Sequence, residues 1–164
     1  MVREKRIYPL PEGLTTAETY AVIGDAQKFI KHKHAWKVWR TLKEFGCLVF
    51  PVAENLKRVD GNKVYQSLTE LKDKATVIVP CLFPEKLETL VEDTVSAGAK
   101  NIWFQEQTWT PEFQQACAER EIKVIRGCVL RHKMYPPVSF RYLNPCYWHG
   151  LKDLKVPSKR SYKF

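Results

Sequence analysis

Long apolar runs are absent: nowhere does this sequence approach the roughly 18 consecutive apolar residues that a membrane-crossing helix needs. Glycine is scarce, at seven residues in 164, and none completes the G-x-G-x-x-G pattern that marks many dinucleotide-binding turns. Paired cysteines are missing too. Cys47, Cys81, Cys117, Cys128 and Cys146 are odd in number and show no C-x₂₋₄-C spacing. That excludes a disulfide framework and a tetrahedral zinc site, and leaves reduced thiols that pack as small apolar side chains. The opening "MVREKRIYPLPEG" has cations with no apolar stretch behind them. It does not read as a secretory leader, so the expected compartment is the cytoplasm. No internal repeat or low-complexity tract is visible.

What is present suits one folded domain, long enough to bury roughly 70% of its unfolded surface. Apolar residues make up 45% of the chain and charged residues 27%, ordinary values for a globular protein. The net charge of +9 is unevenly spread. From Arg131 onward there are eight Lys/Arg against one acid, whereas the preceding residues hold 19 against 17. Within that nearly neutral body, Lys28, Lys31, Lys33, Lys37, Arg40 and Lys43 lie between Asp25 and Glu44 with no acid among them. Both positive features suggest an anionic partner.

Strand and helix signals alternate. "TYAVIG" (Thr19–Gly24), "CLVFPV" (Cys47–Val52), "ATVIVP" (Ala75–Pro80), "NIWFQ" (Asn101–Gln105) and "IKVIRG" (Ile122–Gly127) are short apolar strands. Between them, "AWKVWRTLKEFG" (Ala35–Gly46) is helical, with Trp36, Val38, Trp39, Leu42 and Phe45 on one side. "PEKLETLVEDTVSAG" (Pro84–Gly98) places Leu87, Leu90, Val91 and Val95 at helical spacing. "TPEFQQACAER" (Thr110–Arg120) has an N-cap threonine and a first-position proline. "GNKVYQSLTEL" (Gly61–Leu71) reads as a turn, a brief extended piece and a helical turn. The pattern predicts an α/β open parallel sheet of five or six strands with helices on both faces. Residues 1–18 are expected to be an N-terminal extension, 19–131 the domain, and 132–164 a basic, aromatic C-terminal extension.

In such sheets ligands sit beyond the C-terminal ends of the strands, where strand order reverses. At the first end, Gly24 permits a tight turn and the helix that follows aims its N-terminus at the same point. Lys28, Lys31 and Lys33 oppose that helix dipole. A bound polyphosphate offsets the cost through charge-assisted hydrogen bonds of roughly 1.5–3 kcal/mol each; a solvated charged loop is the plain alternative. Asp25 repels a phosphate unless it turns away. At the second end, Lys57 and Arg58 stand where an acid would hold the ribose of NAD, which favours a phosphorylated ribose such as NADP or coenzyme A. Glu54 keeps NAD open.

The runs "FPV", "GNKVYQSL", "AGAKNIWFQ" and "RGC", in this order and spacing, resemble the CoA-binding domain family over about Thr19 to Arg131. Its members are small stand-alone proteins with a Rossmann-like sheet, related to the nucleotide-binding half of the succinyl-CoA synthetase α-subunit. The resemblance implies CoA at the strand ends, its diphosphate on Gly24, Asp25 and Ala26, with Lys28, Lys33 and Trp36 in the adjoining loop. Pro51, Val52 and Lys57 would lie near the adenosine, Val79, Pro80 and Phe83 along the adenine or pantetheine path, and Gln105 would close the site. The family often carries a serine where Ala26 stands, an R-P-S-Y-type run where Lys33, His34, Ala35 and Trp36 stand, and N-P at Ala53 and Glu54. Those departures remove phosphate ligands; compensation by the extra lysines is one expectation, and a site shifted to another anion is the other.

No Ser/His/Asp or Cys/His arrangement has supporting context, and no metal site is suggested. The expected function is therefore non-catalytic binding of CoA or an acyl-CoA. The alternative is an NADP- or other nucleotide-binding sensor acting with a protein partner or as a homo-oligomer. His32 and His34 fall in the basic loop, while His132 and His149 fall in the tail. Cys81 follows a strand at the expected site, where packing is the plain reading and a mixed disulfide with a CoA thiol the functional one. The tail's aromatics and charge suit nucleic acid by phosphate attraction and stacking, a reading placed below their pinning an extension to the body.

Overall fold

The computed structural model describes residues 10–130, apart from Glu12 and Glu106. The expectations for the C-terminal extension, including Cys146, His132 and His149, lie outside the described residues. Five parallel strands form one sheet: β1 (Thr19–Ile23), β2 (Leu48–Val52), β5 (Val77–Pro80), β6 (Asn101–Phe104) and β7 (Lys123–Arg126), in the order β2-β1-β5-β6-β7. Side chains of β1 alternate between two cores, Tyr20 and Val22 on one face and Ala21 and Ile23 on the other. Both faces are covered, which is why each strand reads as a continuous apolar run. One core holds Phe29, Val38, Trp39 and Leu42, and the other Leu71, Leu90, Val91 and Cys117.

The first crossover is two helices rather than the single one expected. α1 (Ala26–Ile30) is one short turn whose N-cap is Asp25, its carboxylate accepting from the Gln27 and Lys28 amides. Phe29 anchors it in the core, and His32 ends it in the left-handed region at φ 52°. α2 (His34–Glu44) then buries Val38, Trp39 and Leu42 as its spacing predicts, while Ala35 takes the inner position expected of Trp36, which is half-buried. Gly46, at φ 94°, turns the chain into β2.

Two further segments differ from the sequence reading. Asp60 and Gly61, both at positive φ, close a hairpin of β3 (Arg58–Val59) and β4 (Asn62–Lys63); the Asp-Gly pair is its sequence signal. The expected helix over 84–98 is broken into a 3₁₀ turn, Pro84–Lys86, and α3 (Leu90–Ala97). The break lets Leu87 and Leu90 both enter the core and shifts the buried stripe to Thr94 and Ala97. Val95 is thereby left 49% exposed. α4 (Pro111–Glu119) begins as expected, with the Thr110 hydroxyl accepting from the Phe113 amide.

Gly24, at the end of β1, is required by packing. A Cβ there would lie 2.5 Å from Ala35 Cβ and 2.7 Å from Phe29 Cε2. Gly24→Ala is expected to cost about 1–3 kcal/mol through overpacking, seen as a lower urea midpoint at unchanged slope. A midpoint equal to wild type would show that α1 and α2 are not seated on this residue.

Candidate functional site

The chain leaves β1 toward β2 on one side and returns as β5 on the other, so strand order reverses at β1. The strand ends there are tied together: the Gly24 amide donates to the Val52 carbonyl at 2.9 Å and the Cys81 amide to the Ile23 carbonyl at 2.7 Å. Above them lies a cavity of about 610 Å³. Gly24, Asp25 and Ala26 line it from the first turn, and Val52 lines it from β2. These are the four predicted residues that the fold brings together there. The lining is mixed: Ile30, Leu82 and Leu87 are among its apolar residues, and Glu54, Asn55 and Ser67 among its polar ones.

Its electrostatics differ from the expectation. Asp25 does not turn away, because its Oδ1 accepts from the Gln27 amide at 2.9 Å and the Lys28 amide at 3.4 Å. The donors that a phosphate would use at α1 are thus occupied by the chain's own carboxylate. Glu54 and Asp93 add two further acids to the lining, against a single cation, Lys86.

The sequence cluster of cations is spread around this cavity rather than into it. Lys28 is half-buried and holds its Nζ 5.0 Å from the centre of the Phe83 ring. Lys31, Lys33, Lys37 and Lys57 are exposed. Trp36 leans toward the hairpin: its Nε1 donates to Asp60 Oδ2 at 2.7 Å, and His32 stacks on it at 4.0 Å. The His32 Nε2 lies 3.9 Å from the same carboxylate. Pro51, Val79 and Pro80 are buried strand residues outside the cavity lining. Gln105 is buried just past β6, its Oε1 accepting from the Val129 amide at 3.0 Å and lying 3.3 Å from His34 Nε2.

Sequence reasoning missed the lining from the two loops that follow β4 and β5, namely Gln66, Ser67, Leu82 and Leu87. It also missed the Asp60 clip. Only the Asp60-Gly61 turn signal pointed toward the latter. Loop residues carry no periodicity, so which of them face inward depends on the paths of the helices around them.

A doubly wound parallel sheet with a ligand-sized cavity at its switch point defines a nucleotide-binding α/β domain. Residues 18–133 match the CoA binding domain model, and the chain belongs to that family. Among solved structures, a hypothetical protein from Pyrococcus horikoshii OT3 is 27% identical, with 76% of this chain and 94% of that one covered at a TM-score of 0.63. A Thermus thermophilus protein is 29% identical over 71% of this chain and 89% of its own, also at 0.63. The dinucleotide-forming acetyl-coenzyme A synthetase 1 of Candidatus Korarchaeum cryptofilum, solved with phosphate and ADP, shares the fold at 19% identity and a TM-score of 0.57. This chain covers 25% of that enzyme and 66% of itself in the match. No curated protein is significantly similar to the chain.

Cys81, beside the switch point, is 5% exposed. Burial pushes its thiol far above the ordinary range, with Lys28 pulling weakly the other way. Burial also pushes Cys47 and Cys117 up to about 11. A thiol so raised is protonated at neutral pH, and the thiolate is the reactive species. Iodoacetamide at neutral pH is therefore expected to leave Cys81 unmodified in the folded protein and to label it fully in urea. Rapid native labelling, or a CoA mixed disulfide on Cys81 in protein isolated without reductant, would reverse this.

Proposed function

We propose that this chain binds coenzyme A or an acyl-CoA without transforming it, the cofactor lying across the C-terminal ends of β2, β1 and β5. The observation that carries the reading is the switch-point cavity in a chain of the CoA-binding family. Its volume of about 610 Å³ is within the range of small-molecule sites. Its polarity also suits the ligand. Apolar lining residues such as Ile30, Leu82 and Leu87 suit the pantetheine arm, and polar ones such as Asn55 and Ser67 suit the nucleotide. Lys57, in the same loop, and Arg58, at the start of β3, follow Asn55 and supply cations for a ribose phosphate. Burial holds the Cys81 thiol far above its ordinary range, which favours binding over thiol chemistry at this site.

The second reading, an NADP- or other nucleotide-binding sensor, draws on the same Lys57 and Arg58. A thermal-shift panel of CoA, acetyl-CoA, NAD, NADP and ATP separates the two readings. A ligand at 100 times its dissociation constant adds about 2.7 kcal/mol of stability, and the CoA compounds are expected to give the largest shift. A lead for NADP would favour the second reading, and no shift from any ligand would end both.

The capping carboxylate makes a sharper test. Asn caps a helix as well as Asp does, so Asp25→Asn keeps α1 while removing a negative charge from the cavity. CoA affinity measured by calorimetry should rise several-fold, with thermal stability nearly unchanged. Equal or weaker affinity would place the diphosphate away from α1.

A further inference from the structure

The switch-point cavity has a continuous apolar wall. Six of its lining residues, Ile23, Val52, Leu68, Leu82, Leu87 and Leu90, belong to one packed cluster, the core that also holds Val91 and Ala97 of α3. Val52, Leu68, Leu87 and Leu90 are buried in that core, while Ile23 and Leu82 pack against it and stay half-buried. A wall that is part of the core is preformed, so a ligand meets it without repacking the chain.

Apolar surface is also left in water beside this wall. Four large apolar side chains are exposed among the described residues, and two of them belong to this region. Ile30, 55% exposed, lines the cavity, and Phe83, 51% exposed, follows the lining residue Leu82. The Lys28 Nζ contact with the Phe83 ring, at 5.0 Å, brings the helix that carries Ile30 against the loop that carries Phe83. Charge in the lining has the opposite character. Asp25, Glu54 and Asp93 are three carboxylates against one exposed cation, Lys86. Two of the three are fixed in place, Asp25 by the α1 amides and Asp93 by the Thr89 hydroxyl. An anionic group inserted among them is repelled, and it gives up its water without gaining a matching cation.

We infer that this wall receives an aliphatic acyl chain carried on coenzyme A as a thioester, and that the carboxylates exclude acyl chains ending in a negative charge. The inference rests on the CoA reading and names the class of acyl group. A thioester is uncharged, so the chain enters without an anion of its own. A free fatty acid brings a carboxylate, and a dicarboxylic acyl group such as succinyl brings one at its far end.

Calorimetry with CoA, acetyl-CoA, butyryl-CoA and succinyl-CoA tests both halves on the wild-type protein. Each methylene that leaves water adds about threefold to fourfold in affinity. Butyryl-CoA, two methylenes longer than acetyl-CoA, should therefore bind about tenfold more tightly. Succinyl-CoA matches butyryl-CoA in chain length but ends in a carboxylate, and should bind at least tenfold more weakly than it. Glu54→Gln combined with Asp93→Asn should narrow that gap. Ile30→Ser combined with Leu82→Ser should bring the butyryl-to-acetyl ratio toward one; neither side chain is fully buried, and the wild-type series decides the matter even where a variant is unstable. A flat series, with CoA bound as tightly as butyryl-CoA, overturns the acyl wall and leaves the CoA reading intact. Equal affinity for succinyl-CoA and butyryl-CoA overturns the exclusion of charge. Absence of binding by all four ends the CoA reading and this inference with it.

Discussion

The contact of Ala35 and Phe29 with Gly24 is the constraint around which this molecule is arranged. It brings α1 and the start of α2 onto the end of β1, close enough that one added methyl would collide with both side chains. From that seating follow the position of α1 over the switch point, the aim of α2's first turn, and the shape of the cavity between α1 and α3. In many dinucleotide folds a glycine at this place lets phosphate approach the backbone. Here its amide is spent on the Val52 carbonyl, and what it admits is a helix.

Charge around the site is organised in two layers. Acids hold the inner positions: Asp25 caps α1, Asp93 accepts from the Thr89 hydroxyl at 2.8 Å, and Glu54 completes the lining. Cations stand outside, on Lys28, the exposed faces of α1 and α2, and the loop at Lys57. The capped end of α1 is thus closed to an anion by the chain's own carboxylate, while the cations nearby face outward. The Asp60 carboxylate, bonded to Trp36 and near His32, draws the β3–β4 hairpin against the α1–α2 turn.

Much of the fold was legible because buried parallel strands must be apolar on both faces. "TYAVIG", "VIVP" and "NIWF" could hardly be anything else between helical stretches. Caps were legible for the same local reason: Thr110 acts where it was expected to, and Gly46 and Gly98 close the two helical stretches that they end in the sequence. The broken helix at 84–98 was not, since Leu87, Leu90, Val91 and Val95 fit an unbroken stripe equally well. Only the core decides that Thr94 replaces Val95 on the inner face.

For the site, the sequence by itself determined the strand ends, the family, and the composition of the first loop, because these depend on local pattern and order along the chain. Tertiary structure alone decided what each of those residues does. A carboxylate's partner, a lysine's direction and a glutamine's neighbours depend on groups brought together from distant segments, as Gln105 is with His34 across 71 residues of chain. Charge can be counted from a sequence; its direction is a property of the packed backbone.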